Sequence, residues 1–95
     1  MSFLARFRRN KEDPEVVRRR ILLKFGRIGE ASVIEITKDD NGNTMLAYSY
    51  TVGGVDYQAW QRQDDDQLRR PHDYFPDARV DLRYDPKRPV NSFVV

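Results

Sequence analysis

The pattern of apolar and polar positions is most regular between Leu46 and Trp60. Leu46, Tyr48, Tyr50 and Val52 alternate with Ala47, Ser49 and Thr51; beyond Gly53-Gly54, Val55, Tyr57 and Ala59 alternate with Asp56, Gln58 and Trp60. Two period-2 runs around a Gly-Gly pair predict a β-hairpin closed by a two-residue turn, because both glycines tolerate φ > 0. That turn pairs Val52 with Val55, Tyr50 with Tyr57 and Tyr48 with Ala59. The buried face is then Leu46, Tyr48, Tyr50, Val52, Val55, Tyr57 and Ala59. The other face pairs Thr51 with Asp56, Ser49 with Gln58 and Ala47 with Trp60. It is polar except at Trp60, which is expected to pack under another element, the N-terminal helix being the candidate cover. As the chain's only tryptophan it is alternatively an anchor for a partner.

The remaining pattern predicts three more strands. Ala31–Thr37 is β-branched, but Ala31 and Val33 compete with Ile34 and Ile36 for the inner face. Asn41-Gly42 turns this strand back toward Thr44. Asp77–Tyr84 places Ala78, Val80, Leu82 and Tyr84 inward and Arg79, Asp81 and Arg83 outward. Asp85-Pro86-Lys87-Arg88-Pro89 forms a turn, and residues 91–95 form a short final edge strand. Upstream, Asp13-Pro14-Glu15 has the cap, first-position proline and acidic first turn of a helix, and Gly26 supplies its stop near Phe25. A strand over residues 20–25, with Ile21, Leu23 and Phe25 on one face, is the alternative. The fold class is therefore mainly β (α+β): about five antiparallel strands, as a meander or partly open small barrel, with an N-terminal α-helix. Residues 1–12 form a flexible basic segment, and 13–95 a single domain with its helix at about 14–25 and its β part at about 31–95.

Charge divides this picture. Residues 1–30 carry nine Lys/Arg against four Asp/Glu, a net +5, whereas residues 31–95 carry eight against eleven, a net −3. Arg18-Arg19-Arg20 wraps most of the way round the helix, which is the arrangement of a solvated face; a specific anion contact is the sharper reading. Phe3, Leu4 and Phe7 among Arg6, Arg8, Arg9 and Lys11 read as a frayed terminus or as a basic-aromatic contact with an anionic membrane surface or a nucleic acid. No apolar run approaches a membrane span, and no leader-like apolar stretch occurs at the N-terminus. The 95 residues include no cysteine. Cytoplasmic location, with a peripheral position at the inner face of a membrane, is the expectation.

Catalytic patterns do not assemble. His72 is the one histidine, and its neighbour Asp73 makes no dyad without a nucleophile in a suitable turn. Gly53-Gly54 lacks the Lys-Ser/Thr of a phosphate loop. Asp64-Asp65-Asp66 lacks the alternation and mid-loop glycine of a calcium loop and reads as a solvated acidic turn. No enzyme activity and no cofactor or metal are expected. The long connection 61–76 is the natural place for a binding contribution. Candidate interaction residues are therefore Trp60, Arg18, Arg19, Arg69, Arg70, His72 and Tyr74, in a non-catalytic module that binds a protein partner or an anionic membrane surface. Single-stranded nucleic-acid binding by a small barrel with a basic helix is the alternative, using exposed tyrosines and arginines.

Tyr48-x-Tyr50-x-Val52-x-Gly54-x-x-Tyr57, followed by Val80-x-Leu82-x-Tyr84-Asp85-Pro86-x-x-Pro89-x-x-Ser92, resembles a bacterial family of unknown function. The resemblance spans about residues 29–95, with Ala31-x-Val33 in its first strand. It implies a small β domain, commonly attached to one or more transmembrane helices, and it transfers no catalytic residues. This chain departs from that pattern where Asp13–Arg27, too charged to insert, stands in the place of a membrane helix. The departure implies a soluble or peripheral variant.

Overall fold

A computed structural model describes residues 12–95. Helix α1 (Pro14–Phe25) is followed by strands β1 (Arg27–Lys38), β2 (Thr44–Val52) and β3 (Val55–Arg62). A one-turn helix α2 (Asp65–Leu68) and a 3-10 turn (Pro71–Asp73) lead to β4 (Arg79–Asp85) and β5 (Arg88–Val94). The five strands form one antiparallel sheet of order β3-β2-β1-β4-β5, curled so that its outer strands β3 and β5 approach each other and nearly close a barrel. The basic-aromatic segment around Phe3, Leu4 and Phe7 lies outside the described residues.

The helix begins where its caps dictate. Asp13 accepts from the Glu15 N–H at 2.8 Å, and Pro14 occupies the first turn. It ends at Gly26, whose N–H donates to the Leu22 carbonyl at 2.8 Å. Residues 20–25 are therefore helical, not extended. β1 starts immediately afterwards at Arg27, four residues before the expected Ala31, and its first half pairs with β4 from Arg27↔Tyr84 to Ser32↔Arg79. A side chain at Gly29 would press on the Tyr84 ring at 3.1 Å, so the absent side chain makes room for that ring.

Of the competing inner faces of β1, Ala31 and Val33 are the buried one; Ile34 and Ile36, beyond a bulge, are exposed. The register with β2 shifts between Val33 and Glu35, leaving Ile34 as the extra residue. Ala31 and Val33 face the core before the shift, and Ile36 pairs with buried Leu46 after it. On its other side the Val33 main chain is bonded to the 77–78 segment: Asp77 N–H to Val33 C=O at 2.8 Å and Val33 N–H to Ala78 C=O at 2.9 Å. Asp77 reaches this position with φ 70°, the one positive φ at a non-glycine residue among those described.

The hairpin has the expected register throughout, from Ala47↔Trp60 to Val52↔Val55, and Gly53 and Gly54 have φ 58° and 80°. Tyr48 and Tyr50 are buried in the main core with Val33, Leu46, Val80, Leu82 and Val94. Tyr48, Tyr50 and Tyr57 stack in sequence at 5.8 and 5.2 Å. Burial fades toward the turn: Val52, Tyr57 and Ala59 are half-buried, and Val55 is exposed rather than buried, because the tip projects beyond the closed part of the barrel. β5 begins at Arg88, so Pro89 lies within the strand, at an edge where no ladder donor is lost.

Candidate functional site

The point where β3 and β5 meet is built from side chains. Gln61, 5% exposed, accepts from the Val94 N–H at 2.7 Å and donates to the Val94 C=O at 2.9 Å. It thus reproduces with one amide the pair of bonds a strand neighbour would make. Gln67 donates to the same carbonyl at 2.8 Å and closes a capping box with Asp64. Tyr74 donates to the Val95 carbonyl at 3.0 Å. The connection 63–78 therefore fastens the end of β5 to the barrel.

Away from that point the edges of β3 and β5 are held by α1. Arg18 donates to the Asn91 Oδ1 at 2.9 Å and to the Ser92 carbonyl at 2.7 Å, both on β5, while Glu15 holds its guanidinium. Arg19 donates to the Arg62 carbonyl on β3 at 2.8 Å, lies 3.5 Å from Asp64 and covers the ring of buried Phe93 at 5.8 Å. Its side chain is only 14% exposed. The helix is thus a strap across two strand edges whose carbonyls would otherwise lack partners. Arg18 and Arg19 are not on a solvated face; the edge carbonyls supply the fixed acceptors that recruit them. Arg20 alone of the three turns outward, where it pairs with Glu12.

Trp60 is not covered by α1. The helix lies against β4 and β5, whereas Trp60 is on β3, 55% exposed beside buried Ala47. Arg70 and Tyr74 do come together: the guanidinium stands 5.3 Å from the ring and bonds Asp66 at 3.0 Å and Asp73 at 3.1 Å. Burial raises the Tyr74 phenol above its ordinary pKa, with the Arg70 charge opposing. His72 and Arg69 are exposed. The cleft beside Arg70, His72 and Tyr74 has a volume of about 400 Å³. It contains the one histidine but no nucleophile held against it.

Inside the barrel, Tyr48 shares a 2.8 Å hydrogen bond with Ser92, and the Tyr50 hydroxyl donates to the Pro89 carbonyl. Burial raises both phenols, most directly opposed by the Ser92 hydrogen bond. These tyrosines fill the core and present no stacking surface to solvent. Among the described residues, no cluster of three or more His, Cys, Asp or Glu could hold a metal, and no helix is long and apolar enough to cross a membrane.

With the charged side of α1 turned to the strands, its apolar residues are left outside. Leu22 is its one buried residue. Ile21 and Phe25 flank a small groove of about 280 Å³ shared with Gly26, Asp85, Pro86 and Lys87. Phe25 and, just beyond the helix, Ile28 are 72% and 71% exposed. Residues 26–95 match the model of a domain of unknown function, DUF3592. The chain belongs to the DUF3592 family. No curated protein matches it. No solved structure matches it either. The family domain begins at Gly26, so α1 stands just outside the matched span and the strap is laid onto the barrel from there.

Proposed function

We propose that this DUF3592 protein is a non-catalytic interaction module whose contact surface is the end of the barrel where α1 meets β1 and the β4–β5 turn. One observation carries the reading: α1 docks through Arg18 and Arg19, held by Glu15, and leaves Ile21 and Phe25 exposed one turn apart on one face, with Leu23 exposed on another side and Ile28 exposed at the start of β1. Exposed apolar side chains close together at one end of a domain mark a contact surface. Trp60, Leu68 and Phe75 are exposed elsewhere on the surface. Ser32, Ser49, Gln58 and the Glu30–Arg79 ion pair line a polar stretch of the sheet's outer face, the face on which Trp60 stands farther along. The nucleic-acid reading draws no support from the buried tyrosines or from the engaged Arg18 and Arg19.

Photo-crosslinking side chains placed singly at positions 21, 25, 28, 49, 58 and 72 test this in cells producing the protein. Adducts are expected from 25 and 28, and not from 49 and 58 on the polar face. Adducts confined to 49, 58 or 72 refute the assignment.

A further inference from the structure

We infer that the partner of this end is an anionic lipid surface, onto which the module adsorbs with Phe25 and Ile28 entering the headgroup boundary. The inference rests on the reading of the α1 end as the contact surface. Its own support is the distribution of charge. Lys24, Arg27, Lys87 and Arg88 surround the exposed apolar residues, are themselves exposed, and form no ion pair among the described residues. The one carboxylate on the nearby turn, Asp85, is half-buried and accepts the Lys87 N–H at 2.9 Å.

The acids gather at the other end. β1 separates Arg27 from the Asp39-Asp40 turn by twelve residues, roughly 40 Å of extended strand. Gln63 bonds to Thr44 at that same far end, which brings Asp64, Asp65 and Asp66 beside the Asp39-Asp40 turn. The carboxylates are thus concentrated at one end of the barrel, where Lys38, Ile36 and Trp60 are also exposed, whereas Lys24, Arg27, Lys87 and Arg88 gather with Phe25 and Ile28 at the other. An acidic protein surface would meet the cations but would not by itself require exposed Phe and Ile. An apolar protein groove would leave four cations desolvated without partners. Anionic headgroups above a hydrocarbon layer satisfy both groups at once.

The test uses the full chain with vesicles of phosphatidylcholine alone or containing 30% phosphatidylglycerol, about, by mole. Phe25→Trp in a Trp60→Phe background reports position 25 by fluorescence. The indole introduced there is expected to shift to the blue and to be quenched by brominated lipid only when anionic lipid is present. Lys24→Gln with Arg27→Gln is expected to weaken partitioning about 30-fold, at about fivefold per basic residue near the surface, and added salt to weaken it further. Equal partitioning into neutral vesicles overturns the inference. So does binding in which the indole at position 25 stays in water, since residues 1–11 alone would then be making the contact. A protein adduct at 25 or 28, or a dimer in solution abolished by Phe25→Ser, also overturns the lipid assignment while leaving the contact surface in place. Adducts only at 49, 58 or 72 remove both.

Discussion

Replacing Gln61 tests whether one side chain closes the barrel. Gln61→Leu keeps similar volume but deletes both bonds to Val94. The Val94 carbonyl retains Gln67, whereas the Val94 N–H, in a residue with no exposed surface, loses its partner. Two net hydrogen bonds are worth about 0.5–1.5 kcal/mol each, and a stranded buried donor costs about 1–3 kcal/mol. These ranges overlap in what they count, so the expected loss is about 2–4 kcal/mol, or about 10–25 °C in Tm for a domain of this size. Urea unfolding followed by far-UV circular dichroism measures the loss, and amide exchange at Val94 locates it. Gln61→Glu separates hydrogen bonding from shape. As a carboxylate it can accept from Val94 N–H but cannot donate to Val94 C=O, and the site is buried. Its folded-state pKa will lie above the unfolded value, near 4.3. The contribution is therefore retained below that unfolded value and lost as pH rises through the folded one. The Glu variant should approach wild type at pH 4 and fall toward the Leu variant at pH 8. A Leu variant within about 0.5 kcal/mol of wild type, with Val94 still protected, would refute the closure.

Three further outcomes follow from the same geometry. The Tyr48 phenol is raised by burial, opposed by its Ser92 bond, so its contribution is intact below pH 10 and lost as pH rises past the unfolded phenol value; urea midpoints should fall above pH 10, and less steeply in Tyr48→Phe. Gly26→Ala places a Cβ 2.5 Å from the Leu22 carbonyl oxygen and 3.1 Å from the Tyr84 carbonyl oxygen, so a loss of about 1–3 kcal/mol is expected by urea denaturation, with faster amide exchange in α1. Asp77→Gly relieves the positive φ of 70° and should leave stability unchanged or raised by up to about 1 kcal/mol, whereas Asp77→Val should lower it by about 1–2 kcal/mol in the same assay.

The hairpin was legible because alternation and a Gly-Gly turn fix register together, and the register is that of the structure from Ala47 to Trp60. The two faces of β1 were not, since a bulge at Ile34 changes parity within one strand and leaves no periodic trace. The position of Trp60 failed for a topological reason: its face becomes the convex outside of a nearly closed sheet, and the helix is drawn to the β4–β5 side. Gln61 and Gln67 both fall in the long connection 61–76, where polar residues are ordinary. Asp64-x-x-Gln67 was a readable capping signal, but nothing in the chain marks Gln61 as a substitute for a strand neighbour. Arg18 and Arg19 stood out as candidates, but their role against the strands was not legible, because unpaired edge carbonyls exist only once the strands are placed.

The orientation of α1 is a contest between two kinds of burial. Turning the helix by about 100° would bring Ile21 toward the position of Leu22 only by expelling Leu22, so of the about 1.5–3 kcal/mol that such a buried side chain contributes little would be a net gain. The same turn would take Arg18 from Ser92, Arg19 from Arg62 and the helix backbone from Arg83, which donates to the Leu23 carbonyl at 3.0 Å. Charged hydrogen bonds are worth about 1.5–3 kcal/mol each, so the edges outweigh the apolar gain. The docking of α1 is thereby set by the strands, and the exposure of Ile21 and Phe25 follows as its consequence. Exposure of Ile28 does not follow from it, because that residue belongs to β1 and could be any polar side chain without disturbing the strap. Ile28 is for this reason the residue that best separates a surface shaped by helix docking from one shaped for contact.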